Sequence, residues 1–211
     1  MSFYPKNLRG RRFQTDVPGI SLPASEVVHL VLDEHQAVAS NPSGVHAAIA
    51  DTGAEQTVTA NLTSPPYARN ITATAGGTAA DIGAVAVTVY GADVAGNPLS
   101  ETLPAFTADT AGTVAGQKTF ATVNRVVIPA HDGTGATTAI GFGDVLALRS
   151  RLPYDTVLLS FHNHEREATE PTVATDPDEL AANTIKLQTA LDGQPVDVWY
   201  MVSDWDAPSG M

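Results

Sequence analysis

The fold this sequence predicts is all-β: an antiparallel β-sandwich or barrel-like domain with an extended N-terminal arm and at most one short helix. Three observations predict it. Short apolar runs alternate with Thr or another polar residue, the pattern of a sheet with one wet face. Turn signals built on Gly, Asn, Asp and Pro separate the runs. Helical patterns do not alternate with the strands, so parallel βαβ units are not expected.

The elements follow in chain order. Residues 1–22 form the arm, because Pro5, Gly10, Pro18 and Gly19 stop any helix from extending through it. Phe3, Tyr4, Leu8 and Phe13 sit among Lys6, Arg9, Arg11 and Arg12. Four large apolar residues in so short a tail are costly to leave in water, so the segment reads as a docking arm rather than a frayed end.

Residues 23–211 form the β-rich body. Strands are expected at 27–32, 45–50, 57–62, 70–75, 84–90, 119–128, 156–162 and 196–202, where Val and Thr supply stiff branched side chains. Turns are expected at Asn41-Pro42-Ser43-Gly44, Ala75-Gly76-Gly77, Ala95-Gly96-Asn97-Pro98, Asp132-Gly133 and Asp192-Gly193. Asp176-Pro177-Asp178-Glu179-Leu180 offers an N-cap, a proline at the first helical position and acids in the first turn, so a short helix is expected there, ending near Asn183. The first half of Thr184–Leu191 reads as strand.

Composition narrows the function classes. The chain has 211 residues, 43% of them hydrophobic and 16% charged, which suits a globular body with a core rather than an acidic disordered tail. No apolar run approaches the roughly 20 residues of a membrane helix, and the first residues lack a signal-peptide core, so no membrane partner is expected. The absence of cysteine excludes disulfides, thiolate catalysis and Cys-based metal sites. Charge is uneven. The first twelve residues carry four basic groups and no acid, whereas the other 199 hold seven basic and 23 acidic groups. An acidic body repels phosphate, so nucleic acid is not an expected partner, and the basic arm suits an acidic protein surface, including a neighbouring copy of the chain.

No motif carries chemistry on its own. Asp132-Gly133-Thr134-Gly135 and Ile140-Gly141-Phe142-Gly143-Asp144 lack the Lys-Ser/Thr of a phosphate loop and read as turn and bulge glycines. There is no HExxH, no Gly-x-Ser-x-Gly and no recognisable glycosidase pair. His162 and His164 are the metal candidates: on a strand, residues two apart face the same way, and Glu165 stands next to them. Ending strand and surface loop explain them as well, and neither a metal nor a cofactor is expected. His29, His35, His46 and His131 read as packed or exposed singly. In the last strand Trp199 and Met201 share one face, with Val198, Tyr200 and Val202 on the other. That implies a strand buried on both sides or one face in a subunit contact, and burial in the core is the expectation. Trp205, in a polar tail, is the interface candidate.

One longer string has a resemblance. Asn70-Ile71-Thr72-Ala73-Thr74-Ala75-Gly76-Gly77 leads to Val85-Ala86-Val87-Thr88-Val89 and Glu101-Thr102-Leu103-Pro104-Ala105-Phe106. Ile128-Pro129-Ala130-His131-Asp132-Gly133 and Ile140-Gly141-Phe142-Gly143-Asp144 follow, and Ala190-Leu191-Asp192-Gly193 with Val196-Asp197-Val198 closes it. The string resembles virion structural proteins of tailed bacteriophages over roughly residues 45–202. The resemblance implies a structural virion protein, not an enzyme, and within that class a head decoration (cement) protein. Its implied place is the capsid exterior after synthesis in the host cytoplasm. Its implied partners are the major capsid protein and its own copies, as a homo-oligomer, commonly a trimer. The arm residues Phe3, Tyr4, Lys6, Arg9, Arg11, Arg12 and Phe13 would then reach across a subunit boundary. Competing expectations are a tail or head–tail connector protein and a receptor- or glycan-binding virion protein.

Overall fold

The computed structural model describes residues 12–13 and 25–203. They form an all-β body of three antiparallel sheets, and no α-helix occurs among the described residues. The first sheet runs β1 (Arg12–Phe13), β2 (Ser25–Leu32), β15 (Val196–Ser203), β11 (Val157–His162), β12 (Glu165–Arg166). The second runs β13 (Thr172–Ala174), β14 (Thr184–Lys186), β10 (Ala136–Ala147), β5 (Arg69–Gly77), β8 (Gly112–Phe120), and β3 (Asn41–Ala50) also pairs with β10. The third runs β4 (Gln56–Val58), β9 (Thr122–Ile128), β6 (Thr88–Ala92), β7 (Pro98–Thr102).

Alternation along these strands builds two cores. The second and third sheets face each other over Ile71, Ala73, Val89, Phe120, Val126, Ile140 and Phe142, in the manner of a sandwich. The first sheet lays Leu30, Leu32, Val196, Val198 and Tyr200 against Leu146, Leu148, Leu152, Ile185 and Leu187. Strand β10 serves both cores, with Ala136, Ile140 and Phe142 in one and Leu146 and Ala147 in the other. At the seam Arg69 is fully buried. Its Nη2 donates to the Gln36 carbonyl at 2.7 Å and its Nη1 to the Gly143 carbonyl at 3.4 Å, while the guanidinium lies 5.2 Å from the Phe142 ring centre. Burial pushes its pKa down to about 10, against the opposing pull of Asp144.

Several local expectations give way. Asn41–Gly44 is the start of β3 rather than a turn, and Gly76-Gly77 ends β5. The stretch 119–128 is two strands in different sheets, broken at Ala121, whose N–H bonds to the Ala92 carbonyl at 2.8 Å. The glycines at 141 and 143 lie inside the central strand β10, not in a turn. A Cβ on Gly141 would stand 2.1 Å from the Asn41 carbonyl oxygen, so glycine lets β3 close on β10 where their register slips. The strand expected at 84–90 begins at Thr88, the one at 57–62 shrinks to Gln56–Val58, and β7, β8 through Lys118, and β10 arise where no strand was expected.

The expected helix is a single 3-10 turn, Leu180–Ala182. Asp176 does not cap it: the N-cap position is Glu179, which makes no side-chain cap bond. Asp176 Oδ1 instead closes the turn ahead of it, accepting the N–H groups of Asp178 and Glu179 at 2.7 and 2.9 Å, which holds its carboxyl below the usual range. The turn stops because Asn183 takes over its carbonyls. Asn183 Nδ2 donates to the carbonyls of Asp176 and Glu179, and its Oδ1 accepts from Leu152 N–H at 2.8 Å. A second 3-10 turn spans Ala79–Asp81.

Candidate interaction surface

The first sheet has two apolar faces and one apolar neighbour. Its inner face is the second core. Its outer face follows from register: His29 stands opposite Trp199, Val31 opposite Asp197, Met201 opposite Val27, and Leu159 opposite Trp199, Phe161 opposite Asp197. A bulge at Leu158 makes the last two pairs possible, because one extra residue shifts the phase of β11. Val27, Leu159, Phe161, Trp199 and Met201 are half-buried, and Val31 is 48% exposed. The core reading of Trp199 and Met201 is thereby corrected: no described element of the chain covers them, and they are shaded by their neighbours on the face.

One polar pair sits within this face. His29 Nε2 and Asp197 Oδ1 are 2.7 Å apart. The His29 ring stacks on Trp199 with centroids 3.8 Å apart and planes 11° from parallel. Among the described residues no further side-chain hydrogen bond joins this pair. Together the contact with Asp197 and the stack on Trp199 hold the His29 ring between them on this face.

At the far edge of the sheet, β12 covers β11 only at Phe161 and His162, and the Glu167 N–H reaches the Ser160 carbonyl at 2.9 Å. Beyond that point the Val157–Leu159 edge opens into a groove of about 310 Å³ between β11 and the segment 166–171. Its walls carry Asp155, Leu158, Arg166, Glu167 and Glu170. Leu158 is 49% exposed. Glu167 is held by the N–H groups of Gln188 and Thr189, both at 3.2 Å.

The two metal candidates are not brought together as a strand pair. Strand β11 ends at His162, which faces Glu165 across a two-residue hairpin loop made of Asn163 and His164. Both loop residues have positive φ, 50° and 64°, the signature of a type I′ turn. His162 Nε2 is 3.0 Å from Asp192 Oδ1, whereas His164 is exposed at the loop tip. Among the described residues no three His, Asp or Glu side chains gather as a metal site. Asn at the first loop position was the available signal for the turn.

His131 is a structural histidine. Its Nδ1 accepts the Gly83 N–H at 3.2 Å, which leaves Nε2 to donate to Thr138 Oγ1 at 2.8 Å. It is buried beside Phe106. A second cleft, about 380 Å³, opens on the outside of the second sheet between Asn70, Thr72, Asp144 and Lys186. Thr72 Oγ1 and Asp144 Oδ1 lie buried there without a protein partner among the described residues.

Of the arm, Arg12 and Phe13 pair by backbone with Glu26 and Ser25. Phe3, Tyr4, Lys6, Arg9 and Arg11 lie outside the described residues, as does Trp205. Comparison with known proteins found no matching family model, no matching curated protein and no matching solved structure.

Proposed function

We propose that the chain is a structural virion protein of a tailed bacteriophage, bracing the capsid from outside through non-covalent contacts with capsid subunits and with its own copies. The observation that carries this reading is the outer face of the first sheet, which Val31, Phe161, Trp199 and Met201 share: Val31 is 48% exposed, and the other three are half-buried and outside both cores. Faces of that kind mark contact with another macromolecule. The body behind the face is tied together, because the two cores share the long strand β10. A brace needs that combination and needs no reaction. The resemblance of residues 45–202 to virion structural proteins points the same way.

Mass spectrometry and gold-labelled electron microscopy of purified particles test this. The chain is expected on the head exterior in many copies, and deleting residues 1–13 is expected to weaken attachment while the body stays folded. Location on the tail would favour the connector reading, and absence from particles would end the virion reading.

A further inference from the structure

We infer that the groove beside β11 is the seat of the N-terminal arm, residues 1–11, of a second copy of this chain. The inference rests on the self-assembly part of the reading above. Three observations converge on it.

The first is a free strand edge. Antiparallel strands offer N–H and C=O groups on both sides, and β11 is paired along one side by β15 but on the other only at Phe161 and His162. The Ser160 carbonyl is taken by the Glu167 N–H, which leaves the Val157–Leu159 stretch of that edge without a strand partner among the described residues. An extended segment can add to such an edge by main-chain hydrogen bonds. The second is chemistry. Asp155, Glu167 and Glu170 outnumber the single Arg166 in the groove, and exposed Leu158 lies among them. The arm offers Lys6, Arg9 and Arg11 interleaved with Phe3, Tyr4 and Leu8. Charge of one sign meets charge of the other, with an apolar contact in the middle to fix register.

The third is where the arm departs. Strand β1 lies at one end of the first sheet and the groove near the other. Arg12 pairs with Glu26 and Phe13 with Ser25, so the arm joins the sheet at its β2 edge, with β15 and β2 between that edge and β11. Eleven extended residues reach at most about 40 Å, long enough to extend well beyond the edge of the sheet they leave. Donor and acceptor on opposite edges of one sheet make a heterologous contact, and a heterologous contact that closes gives a ring.

The cysteine-free sequence permits a clean test on the full-length chain. A Leu8→Cys chain is mixed with a Leu158→Cys chain under mild oxidation. The control partner is Thr57→Cys, exposed on the third sheet. A mixed disulfide between Leu8→Cys and Leu158→Cys is expected at about tenfold the control level, and high salt should suppress it. Arg9→Glu with Arg11→Glu in the Leu8→Cys chain should abolish the excess, and Asp155→Lys with Glu170→Lys in the partner should restore it. Cross-linking no greater than the control overturns the inference. So does a Leu8→Cys/Leu158→Cys double variant that closes its disulfide within one chain and keeps the monomer mass. Circular dichroism of each variant checks that the body is folded. The virion reading fails separately: cross-linking with no chain on particles leaves the groove assignment standing, and decorated particles without cross-linking leave only the virion reading.

Discussion

The two faces of the first sheet are built from similar residues and have opposite fates. On the inner face Leu32, Val196, Val198 and Tyr200 are fully buried. On the outer face Val31, one residue away from Leu32, is 48% exposed, and Trp199, between Val198 and Tyr200, is half-buried. Hydrophobicity of the strand therefore does not tell which side is core. What decides it is whether the chain supplies a second layer: Leu146, Leu152 and Ile185 do so on one side, and no described element does so on the other. A strand that is apolar on both faces in a chain with one covering layer is a strand with a contact to spare.

Substitutions on the inner face should break the comparison most severely. Leu32→Ala removes a fully buried side chain from the second core and is expected to cost about 2–5 kcal/mol. Urea unfolding, with the midpoint and slope both followed, measures it. The matching outer substitution, Val31→Ala, should change stability by less than about 0.5 kcal/mol.

Alkaline pH separates the two cores. Tyr67 and Tyr200 both lie in the second core, and burial raises both phenols above the ordinary value of 10, with Arg149 nearby opposing the rise. A raised phenol contributes stability that is fully present below pH 10 and is lost as pH climbs through the folded-state value, because the unfolded chain ionises first. The second core is therefore expected to weaken above pH 10, with tyrosinate absorbance rising together with loss of ellipticity. Tyr200→Phe should blunt that response. It also removes the acceptor for the Arg149 N–H at 3.2 Å, so at neutral pH it should cost about 1–2 kcal/mol.

The legible and illegible parts of the sequence divide along physical lines. The β15 alternation gave both of its faces correctly, since a period of two is a local property of the strand. The residues that complete the outer face were not legible, because Leu159 and Phe161 reach Trp199 and Asp197 only through the bulge at Leu158. Strand β10 hid behind Gly141 and Gly143, which look like turn residues but serve close approaches: Gly141 to Asn41 of β3, 100 residues upstream, and Gly143 to the Asn70 side chain of β5. The Asn163-His164 turn hid because it holds no glycine or proline: with the turn unseen, His162 and His164 read as two residues on one strand face and suggested a metal site. The groove beside β11 needs segment 166–171 to fold back, a tertiary event with no local signature.

On the outer face, Trp199→Ser sharpens the comparison. It ends the stack with His29 and should cost the isolated body about 1 kcal/mol. If the face is a contact surface, the same change should weaken self-association or particle binding by tenfold or more, because a central aromatic anchor dominates such interfaces. Sedimentation velocity and a thermal melt on the same sample separate the two effects. Loss of stability without loss of association would make the indole a structural residue.

Asp197→Asn should move stability least and inform on the face most directly. Asp197 is partly exposed and paired to His29 at 2.7 Å, an interaction worth about 0–1 kcal/mol to folding. Its location matters more than its strength. Asp197 stands opposite Val31 on one side and Phe161 on the other, so a contact made by this face must either satisfy the carboxylate or desolvate it. Asparagine keeps the shape and removes the charge. A partner that presents a cation to Asp197 should bind the variant more weakly, with a reduced dependence on salt, whereas an apolar partner should bind it more tightly. Titrating particle binding against ionic strength for the native chain and this variant distinguishes them, and it does so with a fold that both proteins share.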